Sequence, residues 1–288
     1  MPDARSAAAF QLAYDAMLAR FPARPESRDV ETPGAHTRVQ VWGAVAAPPL
    51  VMLHGFKVTA TMWAPNAAAL GAVRRVYAPD TLGDYGFSHA DKPPRNVDGL
   101  LDWLVQLLDA LELGTVDIGG MSYGGWLAAH FAARHPDRVG KLVMIAPGAA
   151  FAAFSAAWYL RGLPMVMFKR KRSVAGYLRW AAVAGDDAVY NDVMDGLVDV
   201  MHAGHHNFPM FGLPLPGTIA PEVLQKIKAP ALLVYGANEK MHAAERAVAV
   251  AKAAMPSLES VVIPEASHDL TMRQAAKVNA AVVAFLQR

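Results

Sequence analysis

The feature that most constrains the fold of this chain is a G-x-S-x-G pentapeptide, Gly120–Gly124. Residues 115–118 before it are β-prone, and residues 126–134 after it favour a helix. A sharp turn between a strand and a helix strains the central serine and leaves room only for small residues two positions to either side. Such a turn lifts the Ser122 hydroxyl clear of a sheet and aims the next backbone N–H at an incoming carbonyl oxygen. The plain alternative is a glycine-rich turn with a solvent-exposed serine.

Length and composition allow one large domain and exclude several classes of site. The 288 residues suffice for one α/β domain with an insertion or for two small domains, and a hydrophobic content of 54% can bury a sizeable core. A net charge of +2 gives no support for a nucleic acid partner. The absence of cysteine excludes disulfides, thiolate metal sites and a cysteine nucleophile, and it is compatible with a reducing compartment.

No segment of the sequence predicts secretion or a membrane span. Polar residues interrupt the N-terminal apolar run, which therefore does not resemble a signal peptide. The most apolar internal stretch, residues 151–168, is broken by Arg161, Gly162 and Pro164, so it does not predict a transmembrane helix. We expect a soluble, cytoplasmic protein without stable membrane insertion.

Strand and helix patterns alternate along the chain, with one interruption. Predicted strands cover residues 37–42, 50–53, 74–78, 115–118, 139–146, 230–235 and 259–263, and predicted helices cover 6–20, 59–70, 96–113, 126–134, 243–255 and 270–286. Gly114 is expected to end the helix before it. Between 149 and 219 the pattern is helical throughout. We interpret that block, 149–219, as a helical cap inserted into a core formed by residues 1–148 and 220–288.

The loop His54–Lys57 follows the apolar strand at 50–53. We expect the N–H of Phe56 to face the same point as the N–H of Tyr123, because two such donors form an oxyanion hole. The His54 imidazole is expected to hydrogen-bond within this loop and fix it. Lys57 is expected to be solvated, with a cation at the rim of a substrate pocket as the alternative.

A nucleophilic serine needs a base, and the base needs a group that orients it. Ser122, Glu239 and His268 occur in that order, each after a predicted strand. The carboxyl ends of parallel strands lie on one edge of a sheet, where residues far apart in the sequence converge. Glu245 and Asp269 are the rival carboxylates, but neither occupies a strand-end position.

Five motifs together resemble the α/β-hydrolase superfamily over nearly the whole chain. They are the oxyanion motif at His54–Phe56, the glycine-rich loop Asp80–Ser88, the nucleophile elbow Gly120–Gly124, the acid loop Gly236–Glu239 and the terminal Ser267–His268. The glycine-rich loop is one residue longer than the common form, and a glutamate replaces the commoner aspartate. The resemblance implies the α/β-hydrolase fold: a mostly parallel eight-stranded sheet with helices on both faces and a helical cap before the last two strands.

Several other polar residues are expected to have structural roles. Asp80 and Asp84 should hydrogen-bond the backbone of their own loop. The basic run Lys169–Arg172 is expected to be a solvated turn between cap helices, with an anionic-substrate rim or a membrane-surface contact as alternatives. No carboxylate stands at ligand spacing beside the cap histidines, so no metal site is predicted. These histidines are His202, His205 and His206.

The cap is rich in aromatic residues and methionines, most of which are expected to form its own core. They are Trp158, Tyr159, Met165, Met167, Phe168, Trp180, Met194, Met201, Phe208, Met210 and Phe211. We predict that Trp158 and Phe208 of the cap, together with Lys57 and Met241 of the core, contact the substrate. Such a lining favours an apolar acyl or alcohol group.

The predicted activity is hydrolysis of a carboxylic ester through an acyl-enzyme on Ser122, with no cofactor. A C–C bond hydrolase, a thioesterase or lactonase, and a non-hydrolytic lyase or cyclase remain alternatives. A binding protein that retains the fold is a further alternative of another class. A serine at position 122 argues against haloalkane dehalogenase and epoxide hydrolase, where the resemblance implies an aspartate. The expected partner is a small molecule, and the sequence leaves a homodimer open.

Overall fold

The computed structural model describes residues 4–185, 187–209 and 212–288. Within these residues nine strands form one sheet. The strands are β1 (Glu26–Thr32), β2 (Ala35–Trp42), β3 (Pro49–Leu53), β4 (Arg75–Pro79), β5 (His89–Ala90), β6 (Val116–Met121), β7 (Val139–Ile145), β8 (Ala231–Gly236) and β9 (Glu259–Ile263). Eight of them follow one another in the order β1-β2-β4-β3-β6-β7-β8-β9, and the short β5 pairs beside β2.

The sheet is parallel from β4 through β9 and antiparallel at its other end, where β2 pairs with β1, β4 and β5. The central strands are almost wholly buried, as apolar runs inside a parallel sheet require. The predicted mostly parallel, eight-stranded sheet is therefore confirmed, with β5 as a short addition. Strand β1 was not predicted, because it is largely charged and only Val30 in it is buried.

Eleven α-helices and two 3-10 helices lie within the described residues. They are α1 (Ala4–Leu18), a 3-10 helix (Ala60–Asn66), α2 (Ala67–Gly71), α3 (Val97–Ala110), α4 (Tyr123–Arg134), a 3-10 helix (Pro136–Arg138), α5 (Ala156–Phe168), α6 (Lys171–Ala181), α7 (Ala188–Asn207), α8 (Pro221–Leu224), α9 (Ala244–Ala254), α10 (Leu270–Arg273) and α11 (Ala275–Gln287). None of the described helices is long and apolar enough to cross a membrane.

Two predicted helices differ in detail. The helix expected over 59–70 starts as a 3-10 helix that contains Pro65, and proline removes a backbone donor that an α-helix needs. Helix α3 ends at Ala110 with Leu111 as its C-cap, so the predicted end at Leu113 with Gly114 as the residue after the cap is wrong. Glu112 takes the left-handed conformation there, with φ 57°, and the N–H of Leu113 closes the turn on the carbonyl of Leu108 at 2.8 Å.

Helices α5, α6 and α7, hereafter the inserted helices, lie between β7 and β8 in the chain, where the sequence predicts helical structure. Helix α6 packs against both α5 and α7, and α7 also packs along α1. Arg20 at the end of α1 forms a bidentate ion pair with Asp192 of α7. Helix α7 thus attaches the inserted helices to α1, and α5 packs on α6.

The expectation that cap aromatics and methionines are mostly core is wrong for α5. Met165, Met194 and Met201 are buried, but a group of side chains on α5 faces solvent. That group includes Tyr159, Met167 and Phe168. Met210 and Phe211, two more of the predicted core residues, lie outside the described residues.

Candidate active site

Ser122 stands on a strained turn between β6 and α4. Its backbone has φ 54° and ψ −114°, a region that non-glycine residues rarely occupy. Neither glycine of the pentapeptide has room for a side chain. A Cβ on Gly124 would lie 2.1 Å from the carbonyl oxygen of Leu53, and one on Gly120 would lie 2.4 Å from the carbonyl carbon of Gly124. The sheet and α4 meet so closely here that the serine is forced to the turn's outer side.

Three side chains form a continuous hydrogen-bonded series at this edge of the sheet. The Oγ of Ser122 lies 2.9 Å from Nε2 of His268, and Nδ1 of the same ring lies 3.0 Å from Oε2 of Glu239. A carboxylate only accepts hydrogen bonds, so Nδ1 carries the proton and Nε2 is free to accept from the serine. Glu239 follows β8 and His268 follows β9, two neighbouring strands. The predicted convergence of the three residues is therefore present in the structure.

The Glu239 carboxylate is fully buried and held from two sides. Its Oε1 accepts the N–H groups of Lys240 at 2.8 Å and Met241 at 2.9 Å, which leaves Oε2 for His268. Burial alone would raise the pKa of Glu239. The His268 imidazole and these hydrogen bonds outweigh burial and lower the pKa of Glu239 below its ordinary value. The group opposite the imidazole is thus an anion at neutral pH.

The two rival carboxylates lie elsewhere. Asp269 accepts a hydrogen bond from the hydroxyl of Tyr190 at 2.9 Å and one from the N–H of Ser267 at 3.2 Å. Burial raises the pKa of Asp269, although these bonds counteract it. Glu245 is exposed in the first turn of α9. Neither carboxylate occupies the position on the imidazole that Glu239 holds.

The predicted oxyanion donors come from two elements that meet at the serine. Tyr123 is the first residue of α4, so its N–H has no acceptor inside the helix. Gly55 lies against the elbow, since a Cβ placed on it would come within 3.7 Å of the Ser122 Cβ. Phe56 follows directly, and its ring lies 5.7 Å from that of Tyr123. The loop after β3 and the N-terminus of α4 therefore adjoin the same hydroxyl.

The loop after β3 is fixed by side chains that the sequence identified as structural. Nδ1 of His54 lies 2.7 Å from the carbonyl oxygen of Gly55, and its Nε2 accepts the N–H of Thr81 at 2.8 Å. Asp80 accepts the N–H groups of Ala60 at 2.9 Å and Phe87 at 3.0 Å. Both residues have the loop-holding roles that the sequence predicts.

The expectation for Lys57 is wrong, because its side chain is completely buried. Its Nζ lies 3.4 Å from Oδ1 of Asp84 and donates to the carbonyl oxygen of Pro209 at 3.2 Å. Its position 4.6 Å above the ring of Tyr85 adds a cation–π contact. Asp84 also accepts the backbone N–H of Lys57 at 3.0 Å. An ion pair of this kind depends on partners distant in sequence, which a local pattern does not reveal.

The other three predicted substrate contacts have different surroundings. Trp158 of α5 lies edge-on to the catalytic imidazole, with 5.1 Å between the centroids of Trp158 and His268. Met241 is fully buried and its N–H holds Glu239. Phe208 packs between aromatic rings, 4.9 Å from Phe10 and 5.4 Å from Tyr85. Among these three residues, Trp158 contacts His268 through its side chain, and Met241 contacts Glu239 through its backbone N–H.

A set of contacts between the inserted helices and the loops of Glu239 and His268 was not predicted from the sequence. The N–H of Ser155 donates to the carbonyl of Met241 at 2.7 Å, and the N–H of His268 donates to Ala181 at 3.2 Å. The Nζ of Lys240 donates to the carbonyl of Trp180 at 2.6 Å. These are mainly backbone contacts, for which a sequence carries no signal.

Comparison with known proteins places the chain in a family. The model of the alpha/beta hydrolase family matches residues 50–281, most of the chain, so the chain belongs to that family. The chain is 28% identical to carboxylesterase YbfK of Bacillus subtilis (strain 168), over 96% of this chain and 93% of that protein. It is 30% identical to the carboxylesterase nap of the same organism, over 94% and 90% of the two chains.

The solved structures give the same result. A crystal structure of naproxen esterase (carboxylesterase NP) from Bacillus subtilis matches with a TM-score of 0.89 and 28% identity, over 99% of both chains. The structure of carboxylesterase CesB (YbfK) matches with a TM-score of 0.85 over 98% of both chains. The predicted α/β-hydrolase fold is confirmed, and these full-length relatives support an ester-hydrolysing enzyme.

Proposed function

We propose that the protein is a carboxylesterase that hydrolyses small to medium, largely apolar esters through an acyl-enzyme on Ser122. The observation that carries the proposal is the hydrogen-bonded series from Ser122 through His268 to the buried Glu239, at 2.9 and 3.0 Å. Residues of these types in this order provide a nucleophile, a base and the group that orients the base. Full-length carboxylesterase relatives support the same reaction class.

The reaction starts when Ser122 Oγ attacks the ester carbonyl and Nε2 of His268 takes the hydroxyl proton. The negative charge that develops on the carbonyl oxygen is stabilised by the N–H groups of Phe56 and Tyr123. Glu239 holds the imidazole in the required tautomer and stabilises its cationic form. The protonated imidazole then gives its proton to the departing alcohol, which leaves an acyl group on Ser122.

Hydrolysis of the acyl-enzyme repeats these roles with water. His268 takes a proton from a water molecule, which attacks the acyl carbonyl. The second oxyanion occupies the same position, and its collapse releases the acid and returns the proton to Ser122. Apart from the ester and water, these steps use only groups of the chain.

We also propose the division into a core, 1–148 and 220–288, and a helical cap, 149–219, that covers the site. The contact of Trp158 with His268 supports this division, since it places α5 next to the reacting groups. In this arrangement the inserted helices select the ester by the shape and apolarity of the space that they leave. A small-molecule ester as the partner and a cytoplasmic location stay predictions.

Steady-state hydrolysis of p-nitrophenyl esters from acetate to decanoate tests the proposal. The wild type should show turnover that peaks at one chain length, and Ser122→Ala should lose about 10³-fold or more. Ser257→Ala, at an exposed serine in a loop, is the matched control and should retain wild-type rates. Substantial ester hydrolysis by Ser122→Ala would refute the assignment. A folded wild type without turnover on any ester would favour C–C cleavage, cyclisation or binding.

A further inference from the structure

Helix α5 exposes an apolar face that is unusual for a protein surface. Its exposed large side chains are Tyr159, Leu160, Leu163, Met167 and Phe168, each between 51% and 69% accessible. The first four recur at intervals of one, three and four residues, which places them on one stripe of the helix. Of the twelve large hydrophobic residues exposed within the described part of the chain, five are these. A contiguous apolar patch of this kind indicates a binding surface, whereas scattered exposed residues do not.

The charged side chains in the segment that carries this face are all basic. Residues 151–185 contain six basic side chains and no aspartate or glutamate, although the whole chain has a net charge of only +2. Four of the six form the run Lys169–Arg172 immediately after the apolar stripe. Lys171 is paired with Asp199 and Arg179 with Asp195. Arg161, exposed on α5 itself, has no acidic partner among the described residues, and neither do Lys169, Arg170 and Arg172.

The apolar stripe and the unpaired basic residues together indicate what kind of ligand binds this surface. An apolar stripe that ends in unpaired cations fits the boundary between headgroups and acyl chains of an anionic lipid layer, where each basic group attracts lipid charge. The guanidinium of Arg170 lies over the ring of Phe168 at 5.8 Å, so the charged and apolar parts of this surface adjoin. A second copy of this chain would be a poorer fit, because the segment 151–185 has no acidic residue to offer these cations.

The same helix borders the catalytic residues. Its inner side carries Trp158 against the imidazole of His268. At its start the Oγ of Ser155 donates to the carbonyl of Lys240 at 3.1 Å, next to Glu239. The outward apolar face and the roof of the site are therefore two sides of one helix. A surface that binds α5 from outside would lie directly beside the reacting groups.

We propose that α5 docks on anionic lipid surfaces, with its apolar stripe in the headgroup–acyl boundary and the run Lys169–Arg172 on the lipid phosphates. The proposed contact is peripheral and runs along one face of α5. Docking requires only this surface. If the protein docks in this way, esters dissolved in lipid reach the site without crossing water. This consequence rests on the proposed function.

Flotation with vesicles of phosphatidylcholine and phosphatidylglycerol in equal parts, against vesicles of phosphatidylcholine alone, tests the docking. Wild type should float with the anionic vesicles and release them at high salt. Leu160→Ser/Leu163→Ser should reduce binding by about tenfold or more. Lys169→Gln/Arg170→Gln/Arg172→Gln should lose about fivefold for each charge removed. Leu12→Ser, at a leucine 73% exposed on α1, is the matched control and should bind as wild type.

The outcomes separate docking from catalysis. Thermal unfolding at the wild-type midpoint shows that the α5 variants are folded, and Ser122→Ala should float as wild type does. Wild type that stays unbound from anionic vesicles, or a Leu160→Ser/Leu163→Ser variant that binds as well as wild type, overturns the proposal. A wild-type dimer in sedimentation that this double variant converts to monomer would assign the surface to self-association and overturn it as well. Wild type that floats with anionic vesicles but hydrolyses no ester would contradict the proposed function and leave the docking proposal intact.

Discussion

Replacing Glu239 with glutamine tests the orientation of the catalytic imidazole with little change in shape. In the wild type Oε1 accepts two backbone N–H groups, at 2.8 and 2.9 Å, and Oε2 faces Nδ1 of His268. The amide oxygen of glutamine can keep the two backbone bonds, because only an acceptor fits there. Its NH₂ group must then face Nδ1. Two donors repel each other, so the imidazole proton moves to Nε2, and the ring can no longer accept the proton of Ser122.

The expected loss in kcat is about 10³- to 10⁴-fold, the size seen when a triad acid is replaced by its amide in another serine hydrolase. That factor corresponds to about 4 to 5.5 kcal/mol of transition-state stabilisation. The assay is steady-state hydrolysis of p-nitrophenyl butyrate, combined with thermal unfolding to show that the fold persists. Glu245→Gln, at the exposed carboxylate of α9, should retain wild-type kcat. A Glu239→Gln enzyme within tenfold of wild type would refute this account of the acid.

Three further predictions concern packing and ionisation. Gly124→Ala should unfold or inactivate the protein, because the new Cβ would lie 2.1 Å from a backbone oxygen of β3. The control is Gly176→Ala in α6, where the space is open, and it should leave the melting temperature unchanged or raise it. Lys57→Met should cost about 3 kcal/mol or more in urea unfolding, because it leaves a buried carboxylate unpaired, and a loss under 1 kcal/mol would contradict the buried ion pair. Burial, and after it the neighbouring His202, lowers the pKa of His205 from 6.5 to about 4. Between pH 6.5 and pH 4 the unfolded state therefore binds a proton at His205 that the native state does not bind. Stability should therefore fall as the pH is lowered from 6.5 to 4, and His205→Phe should flatten that part of a melting-temperature profile.

The arrangement of Ser122, His268 and Glu239 could be predicted because each of them belongs to a local pattern at a strand end. The pentapeptide around Ser122 requires a strand, a turn and a helix, and the structure has all three. Glu239 and His268 each follow an apolar strand, so a parallel sheet brings them to one edge. The pairing of β8 with β9 then places Glu239 beside His268, whereas the side chain of Asp269 is held by the hydroxyl of Tyr190 and the N–H of Ser267.

Properties that depend on distant partners could not be predicted in this way. Lys57 is buried because Asp84 and Pro209 surround its ammonium group, and these residues lie 27 and 152 positions away. A charged strand such as β1 has no apolar alternation, and it forms because β2 offers it a free edge. The apolar residues of α5 look like core in the sequence. Whether a helix face is covered is decided by which elements pack on it, and the outward face of α5 stays largely exposed in the described part of the chain.

The most direct test of the account is to locate the covalent intermediate. Wild-type protein is mixed with p-nitrophenyl butyrate, quenched in acid within the first turnover, digested and mapped by mass spectrometry. We expect one butyryl group on the peptide that contains Ser122, formed and lost at rates consistent with kcat, and no such group in Ser122→Ala. Full turnover without a covalent intermediate, or a butyryl group that turns over on another residue, would contradict it.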